Sequence, residues 1–339
     1  MSKGSRDKSL VGGDRCRFIC LTPCRNEGWI IGNHLMAAKA WADAIVVGDQ
    51  MSDDDTRDIV DEHKPKTLLV DNKAQGYDEG ERHRVVFQAA RKLYPEEKKV
   101  LLAIDADEML SANWSDSSEW EQIKALPPGS GIYAEWVNIN PDLETWFPLG
   151  GHFIIGIVDD GRLNHSPGKF HVPRLLQDPA KPKFYLKDIK LLHFQYVDAD
   201  RTESKRRAYH VQEWLVNPTR PIRLFRRLNP LRFIRPSDIQ ALKAEWTEGF
   251  ARDGVDWRRF RKDGIYRWDA IVNDAISEKG ARHFRRLDIW NYPSCNQVAS
   301  LDPRGRFEKM VHHFLRTTQP YMQAVPVRLV QWLLRPFGW

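Results

Sequence analysis

The sequence predicts an α/β fold, a mostly parallel central sheet with helices on both faces, followed by a mostly helical C-terminal region. Three observations predict it. Short apolar runs alternate four times with helical patterns between residues 17 and 105. Each run stops abruptly at polar or acidic residues, and beyond residue 200 such runs give way to charged helical patterns broken by proline.

The elements follow in order. RFICLT (17–22) is a buried strand that opens into a loop at Pro23 and Asn26. From Gly28 to Trp41, Ile30, Ile31, Leu35, Met36, Ala38 and Trp41 recur at helical spacing, and AIVVGD is the next buried strand. A second helix is expected to begin near Ser52 or Asp53 and to stop before Pro65, because a cap residue precedes an acidic first turn. TLLVD, a third helix over Arg82 to Leu93, and VLLAID complete the alternation. Beyond Pro127, GIYAEWVNI and HFIIGIV are shorter strand candidates, expected to be distal strands of the sheet.

With 339 residues, 42% hydrophobic and 29% charged, the chain can bury a substantial core, which excludes disordered and collagen-like classes. The net charge of +6 is uneven: residues 1 to 120 hold 17 basic and 22 acidic side chains, whereas residues 201 to 262 hold 16 basic and 7 acidic. That second stretch can attract phosphates or an anionic membrane surface, or can be a solvated helical surface. It includes Lys205, Arg206 and Arg207, and Arg226, Arg227, Arg232 and Arg235 among Phe225, Leu228, Leu231 and Phe233. Cys16, Cys20, Cys24 and the distant Cys295 match no paired zinc spacing and are expected to be reduced thiols. No apolar run reaches the roughly 18 residues that span a bilayer, so the expected location is cytoplasmic, or peripheral on the inner face of a membrane.

The segment most informative about chemistry is VLLAIDADEML, where a buried strand ends on Asp105, Asp107 and Glu108. Unpaired carboxylates are costly to bury, so these belong at the carboxyl end of the strand, where open α/β sheets hold ligands. In an extended chain Asp105 and Asp107 share one side, and together they suit a hard divalent cation, Mn2+ or Mg2+, that neutralises a diphosphate. The competing reading is a helix N-cap with an acidic first turn.

LTPCRNE, VVGDQMSDDDT and LLAIDADE, in that order, resemble the succession found in family 2 glycosyltransferases with the GT-A fold. Pro23, Asn26 and Glu27 match the first family motif, and Asp49, Ser52 and Asp54 match the second, while Gln50, Met51 and Asp53 depart from it. The resemblance implies a donor half at 17–115 and an acceptor half at 116–199 of a GT-A-like domain (17–199). Around these would lie a flexible N-terminus (1–16) and the basic helical region (200–339). It further implies that Thr22, Pro23, Asn26, Glu27 and Asp49 meet the base and ribose of a UDP- or GDP-sugar, that Asp105 and Ala106 border it, and that Asp107 and Asp105 take the metal. Arg82 or Arg84 would meet the diphosphate, although either could pair with Glu79 or Glu81 instead. KFHVPRLLQ and DIKLLHFQYVDADR resemble the downstream part of some members, where an Arg and then a His follow short strands. His193 is therefore a candidate metal ligand or a packing residue. Asp160 is a candidate base for the acceptor hydroxyl.

The expected activity is transfer of a sugar, with the inversion that the resemblance implies, from a nucleotide-diphosphate donor to a saccharide or lipid-linked acceptor in cell-envelope polysaccharide or glycolipid synthesis. A metal-dependent nucleotidyltransferase is the enzymatic alternative, but TPCRNEGWI offers no Gly-rich phosphate loop. A non-catalytic anion- or membrane-binding module is the alternative of another class, and the absence of a recognised motif argues against nucleic acid. The C-terminal FLRTTQPYMQAVPVRLVQWLLRPFGW could lie on a membrane with Arg328, Arg335, Trp332 and Trp339 at the interface, or dock against the catalytic domain.

Overall fold

The computed structural model describes residues 15–74, 78–162, 168, 173–216, 220–229, 234–262, 264, 266–290 and 302–339. Residues 1–14, Cys295, Leu231, Arg232 and Phe233 lie outside these. The chain divides into two compact units. One comprises residues up to Asn138, Gly150–Phe194 and Leu242–Arg261, and the other Ile139–Leu149, Gln195–Ala241 and Lys262–Trp339. A single boundary at residue 200 is therefore too simple, since 242–261 fold with the first unit and 139–149 with the second.

In the first unit, β1 (Cys16–Cys24), α1 (Ile31–Trp41), β2 (Ala44–Asp49), α2 (Thr56–Glu62), β3 (Thr67–Asp71), α3 (Glu79–Arg91) and β4 (Lys98–Ala103) alternate as the apolar runs predict. The four strands are parallel in the order β3-β2-β1-β4. The mixed half adds β5 (Glu108–Leu110), α4 (Ser118–Ala125), β6 (Gly131–Ile139), β8 (His152–Val158), β9 (Lys183–Tyr185) and β10 (Leu191–His193). In the second unit, β7 (Thr145–Phe147) pairs with β11 (Gln240–Ala241). That unit also holds α5 (Ala199–Val216), α6 (Pro221–Arg227), α7 (Arg267–Lys279), α8 (Arg306–Thr317) and α9 (Val325–Leu333).

Alternating side chains of β1 feed two cores, as period-2 geometry requires. Phe18 and Cys20 face Ile31 and Leu35 of α1, Val60 of α2 and Trp120 of α4. Ile19 and Leu21 face Val86, Phe87 and Ala90 of α3. The sheet is thus covered on both faces, as expected. Trp120 stacks on Phe18 with ring centroids 4.1 Å apart, and its neighbour Glu119 accepts the amides of Lys187, Asp188 and Ile189, which ties α4 to the loop before β10.

The basic stretch of the second unit is an internal framework more than a free face. Arg206 and Arg316 both pair with the fully buried Asp288, Arg207 pairs with Asp269, and Arg227 with Glu213. Arg226 is buried and donates to Leu315 O and Gln319. Arg235 is exposed but pairs with Asp238, so the arginines expected to share a phosphate-facing surface are dispersed. No helix among the described residues is long and apolar enough to cross a membrane.

Two predictions come from this architecture. Burial pushes His312 down to about 4 and His210 well below its ordinary value, so both stay neutral in the fold while an unfolded chain protonates them. Burial also disfavours the charge on Asp288, but Arg206 and Arg316 outweigh it and hold that carboxyl well below the usual range. Because the unfolded state binds more protons in every case, stability should fall with pH from about 6.5 downward. The slope should approach about 1.4 kcal/mol per pH unit for each histidine, with Asp288 adding to it only in the acid range. Urea midpoints measured between about pH 7.5 and about pH 4.5 check this. A flat profile in that interval would contradict it.

The second concerns the β2–α2 turn, where Met51 has φ of 51°. It keeps the left-handed backbone that glycine adopts freely. Met51→Gly should leave the melting temperature unchanged or raise it, since relief of about 1 kcal/mol offsets glycine's entropy cost. Met51→Val should lower it, because a β-branched side chain tolerates this conformation least.

Candidate functional site

Register places the carboxyl ends of the parallel strands on one edge, with Cys24 beside Asp49 and Asp49 beside Asp71, and Leu21 beside Ala103. After β1 the chain moves outward to β2 and β3, then returns past β1 to lay down β4. The order therefore reverses between β1 and β4, with α1 on one face and α3 on the other. That reversal opens the crevice in which sheets of this kind hold ligands. The loop Pro23–Glu27 and the acidic segment Asp105–Glu108 border it.

Asp105 and Asp107 do not sit on an extended strand. Glu108 N donates to Asp105 O at 3.0 Å, so residues 105–108 form a tight turn into β5, and no helix follows for the carboxylates to cap. Arg174 shapes this turn. Its guanidinium donates to Ala103 O (3.1 Å), Asp105 Oδ2 (2.8 Å) and both oxygens of the fully buried Glu108 (2.5 and 2.6 Å). Burial works against the Arg174 charge, but Asp105 and Glu108 outweigh it and hold the group protonated above its ordinary range. Glu108 is thus committed to structure, while Asp105 and Asp107 stay half-buried on the edge with Ala106 buried between them.

The first loop is a lattice of short polar contacts. Asn26, itself left-handed at φ 55°, exchanges hydrogen bonds with Asp53 and donates its amide to Ser52 Oγ. The amides of Glu27 and Gly28 meet Thr56 and Asp54, and the Glu27 carboxylate accepts from Trp29 Nε1 at 2.7 Å. Asp49 is buried and accepts from Ser52 N and Oγ and from Arg57 Nη1, so it anchors the turn. Asp55 stands at the N-cap position of α2 without a side-chain capping bond, its carboxylate pairing with Arg261 instead. Thr22 is turned inward, its hydroxyl bonded to His34 Nε2 at 2.7 Å while His34 Nδ1 meets Glu108 O at 2.8 Å. The side chain of Thr22 is therefore directed to the core, away from the edge.

Arg82 reaches Pro23 O from α3, which places it at the crevice, whereas Arg84 pairs with Glu81 and Gln88 on the helix surface. His193 is buried, with Nδ1 at 2.8 Å from Asn138 Oδ1 and its ring stacked on Trp136. In register it lies opposite Glu108, and the next residue donates its amide to Asp107 O, so it stands behind the acidic turn. Among the described residues no three His, Cys, Asp or Glu groups converge on one point. Two carboxylates with further oxygens from a diphosphate and water nevertheless suit Mg2+ or Mn2+, which are held that way in phosphate sites.

Asp160 is in the wrong place to serve as the base. β8 runs antiparallel to β4, pairing Val158 with Val100, and Asp159 N donates to Lys99 O. Asp160 therefore sits by the start of β4, on the rim opposite Asp105, where it accepts from Arg162 N. The apolar run of β8 gives its burial but not its direction.

Sequence reasoning missed two features. His83 on α3 is buried, pushed down to about 4 by burial, and placed where the charges of Asp105, Arg174 and Arg82 act on it. Its Nδ1 donates to Glu79 O, which leaves Nε2 as an acceptor, buried and without a hydrogen-bond partner among the described residues. Trp136 and Phe153, 3.8 Å apart and partly exposed, flank Arg174 with its guanidinium 5.6 and 5.5 Å from their ring centres. A strand pattern gives the burial of such rings and not their neighbours.

No family model matches the chain, and no curated protein matches it. Among solved structures, S. aureus TarS 1-349 in complex with UDP is 14% identical, covering 92% of this chain and 82% of that one, with a TM-score of 0.32. TarS 1-349 in another crystal structure is 11% identical, covering 92% and 83%, with a TM-score of 0.35. A 4-diphosphocytidyl-2C-methyl-D-erythritol synthase is 14% identical over 51% of this chain and 90% of that one, with a TM-score of 0.30. TM-scores this low do not assign the chain to a family.

Proposed function

We propose that the chain is a divalent-metal-dependent glycosyltransferase that moves a sugar from a nucleotide-diphosphate donor, UDP- or GDP-linked, to the hydroxyl of a saccharide or lipid-linked acceptor. The observation that supports this best is the half-buried pair Asp105 and Asp107 at the crevice between β1 and β4, on a turn locked by Arg174. Asp107 and Asp105 would hold Mn2+ or Mg2+, which when bound neutralises the diphosphate and stabilises it as a leaving group. His193 would steady the turn from behind, its Nδ1 held by Asn138.

The chain's own residues have definite tasks in this reading. Arg82, from the start of α3, faces the crevice with a planar fork suited to phosphate oxygens. The Asn26–Glu27 loop and the turn anchored by Asp49 form the wall for base and ribose, Asp49 acting chiefly by fixing that wall. The partly exposed rings of Trp136 and Phe153 offer an apolar face for a sugar. Inversion would require a base near the acceptor, and Asp160 is too far from the edge for that task.

Asp105→Asn and Asp107→Asn each keep the side chain's shape and remove a charge. Both variants should therefore stay folded and bind nucleoside diphosphate about tenfold or more weakly with manganese, Asp107→Asn more so, while losing little in EDTA. Asp49→Ala should instead weaken binding with and without metal. Calorimetric titration of UDP and GDP checks both expectations. Unchanged metal-dependent affinity in both asparagine variants would remove the metal assignment.

A further inference from the structure

The second unit presents an apolar face at α9 and its flanks. Val325, Leu329, Trp332 and Leu333 follow the i, i+4, i+7, i+8 spacing of one helical face, and all are exposed, Val325 at 77% and Trp332 at 57%. Tyr321 before the helix and Phe337 after it are also exposed, at 67% and 60%. No residue of α9 is buried. The opposite edge of the segment is nevertheless seated. Leu334 packs with Ile222, Phe225, Val311, Leu315 and Trp339, and Trp339 itself is buried against His312. Trp339 is thus an anchor of the unit and not an interfacial residue, and with Leu334 it seats the end of the segment. Large apolar side chains held outward in this way cost free energy in water unless a partner covers them.

The charge around this face identifies the partner. From Lys309 to Trp339 the sequence contains no acidic side chain, and of its four basic residues Arg316 pairs with Asp288 and Lys309 with Asp302. Arg328 and Arg335 are exposed beside the apolar row. A second copy of the same face would bring like charges together. A bilayer with anionic headgroups would instead receive the apolar row among its acyl chains and the arginines among its phosphates, with Trp332 and Tyr321 at the depth that amphipathic rings prefer.

We propose that the face formed by Tyr321, Val325, Leu329, Trp332 and Phe337, rimmed by Arg328 and Arg335, seats the protein on an anionic membrane surface. This is independent of the donor assignment and moves the membrane contact from the arginines of 201–262, of which Arg206, Arg207 and Arg227 are paired and Arg226 is buried inside the unit, to the C-terminal helix.

The test is co-sedimentation of the full chain with phosphatidylcholine vesicles containing about one-third phosphatidylglycerol, against phosphatidylcholine alone, at low and high salt. Binding should favour the anionic vesicles and weaken with salt. The triple variant Val325→Ser, Leu329→Ser, Trp332→Ser should bind at least about tenfold more weakly, with an unchanged melting temperature because these side chains are exposed. Arg328→Gln with Arg335→Gln should lose the anionic preference and keep the fold. Failure of the parent to bind anionic vesicles at low salt would overturn the proposal, as would vesicle binding that the triple variant retains. A concentration-dependent dimer that the triple variant abolishes, without vesicle binding, would also overturn it in favour of a second copy. Nucleoside diphosphate affinity, followed alongside, reports separately on the donor site.

Discussion

The ion pair between the largely covered Arg174 and the fully buried Glu108 sets the geometry on which the candidate site depends. One guanidinium reaches the last carbonyl of β4, the carboxylate of Asp105 and both oxygens of Glu108. Trp136 Nε1 adds a further donor to Glu108 at 2.7 Å. A charge pair out of water is stable only when its hydrogen-bonding capacity is filled, and losing one partner of such a pair typically costs about 3–5 kcal/mol. Here that capacity is filled by groups from the strand end, from β6 and from the segment before β9. Three parts of the unit are thereby fixed around the turn that presents Asp105 and Asp107.

The same turn separates two kinds of carboxylate that sequence alone presents as one cluster. Glu108 faces inward and is neutralised by protein, while Asp105 and Asp107 remain at the crevice edge. On the proposed function, a cation at this edge would share Asp105 with Arg174, whereas Glu108 stays with the protein. The first loop follows similar logic. Asp49 and Asp54 are used to fix backbone, which makes the wall of the crevice rigid before any ligand arrives.

Much of the parallel half was legible because its signals are local. The runs 17–22, 44–49, 67–71 and 100–105 coincide with β1 to β4 apart from a few terminal residues, and α1 and α2 lie within the expected stretches while α3 begins three residues before the expected Arg82. Parallel pairing then carries the strand ends to one edge, so Asn26, Asp49 and Asp105 could be placed together without knowledge of any distant contact. What was illegible depends on pairings far apart in sequence. HFIIGIV is a strand in either direction, and only its antiparallel register with β4 reveals that Asp160 lies on the opposite rim. Asp105 and Asp107 looked like neighbours on an extended chain because the turn that separates them from one is imposed by Arg174, 69 residues away from Asp105. Charge counting over 201–262 could not distinguish Arg206 and Arg226, which are buried, from a free basic surface.

A divalent cation and a nucleoside diphosphate are proposed to meet at the acidic turn that follows β4, at the crevice between β1 and β4. Paramagnetic broadening of amide resonances by Mn2+, recorded in the presence of UDP, tests it most directly. The structure predicts that broadening is strongest at Asp105, Ala106 and Asp107, extends to the loop around Asn26 and the start of α3, and disappears in Asp107→Asn. Broadening centred on the opposite rim around Asp159 and Asp160, or unchanged in Asp107→Asn, would contradict it.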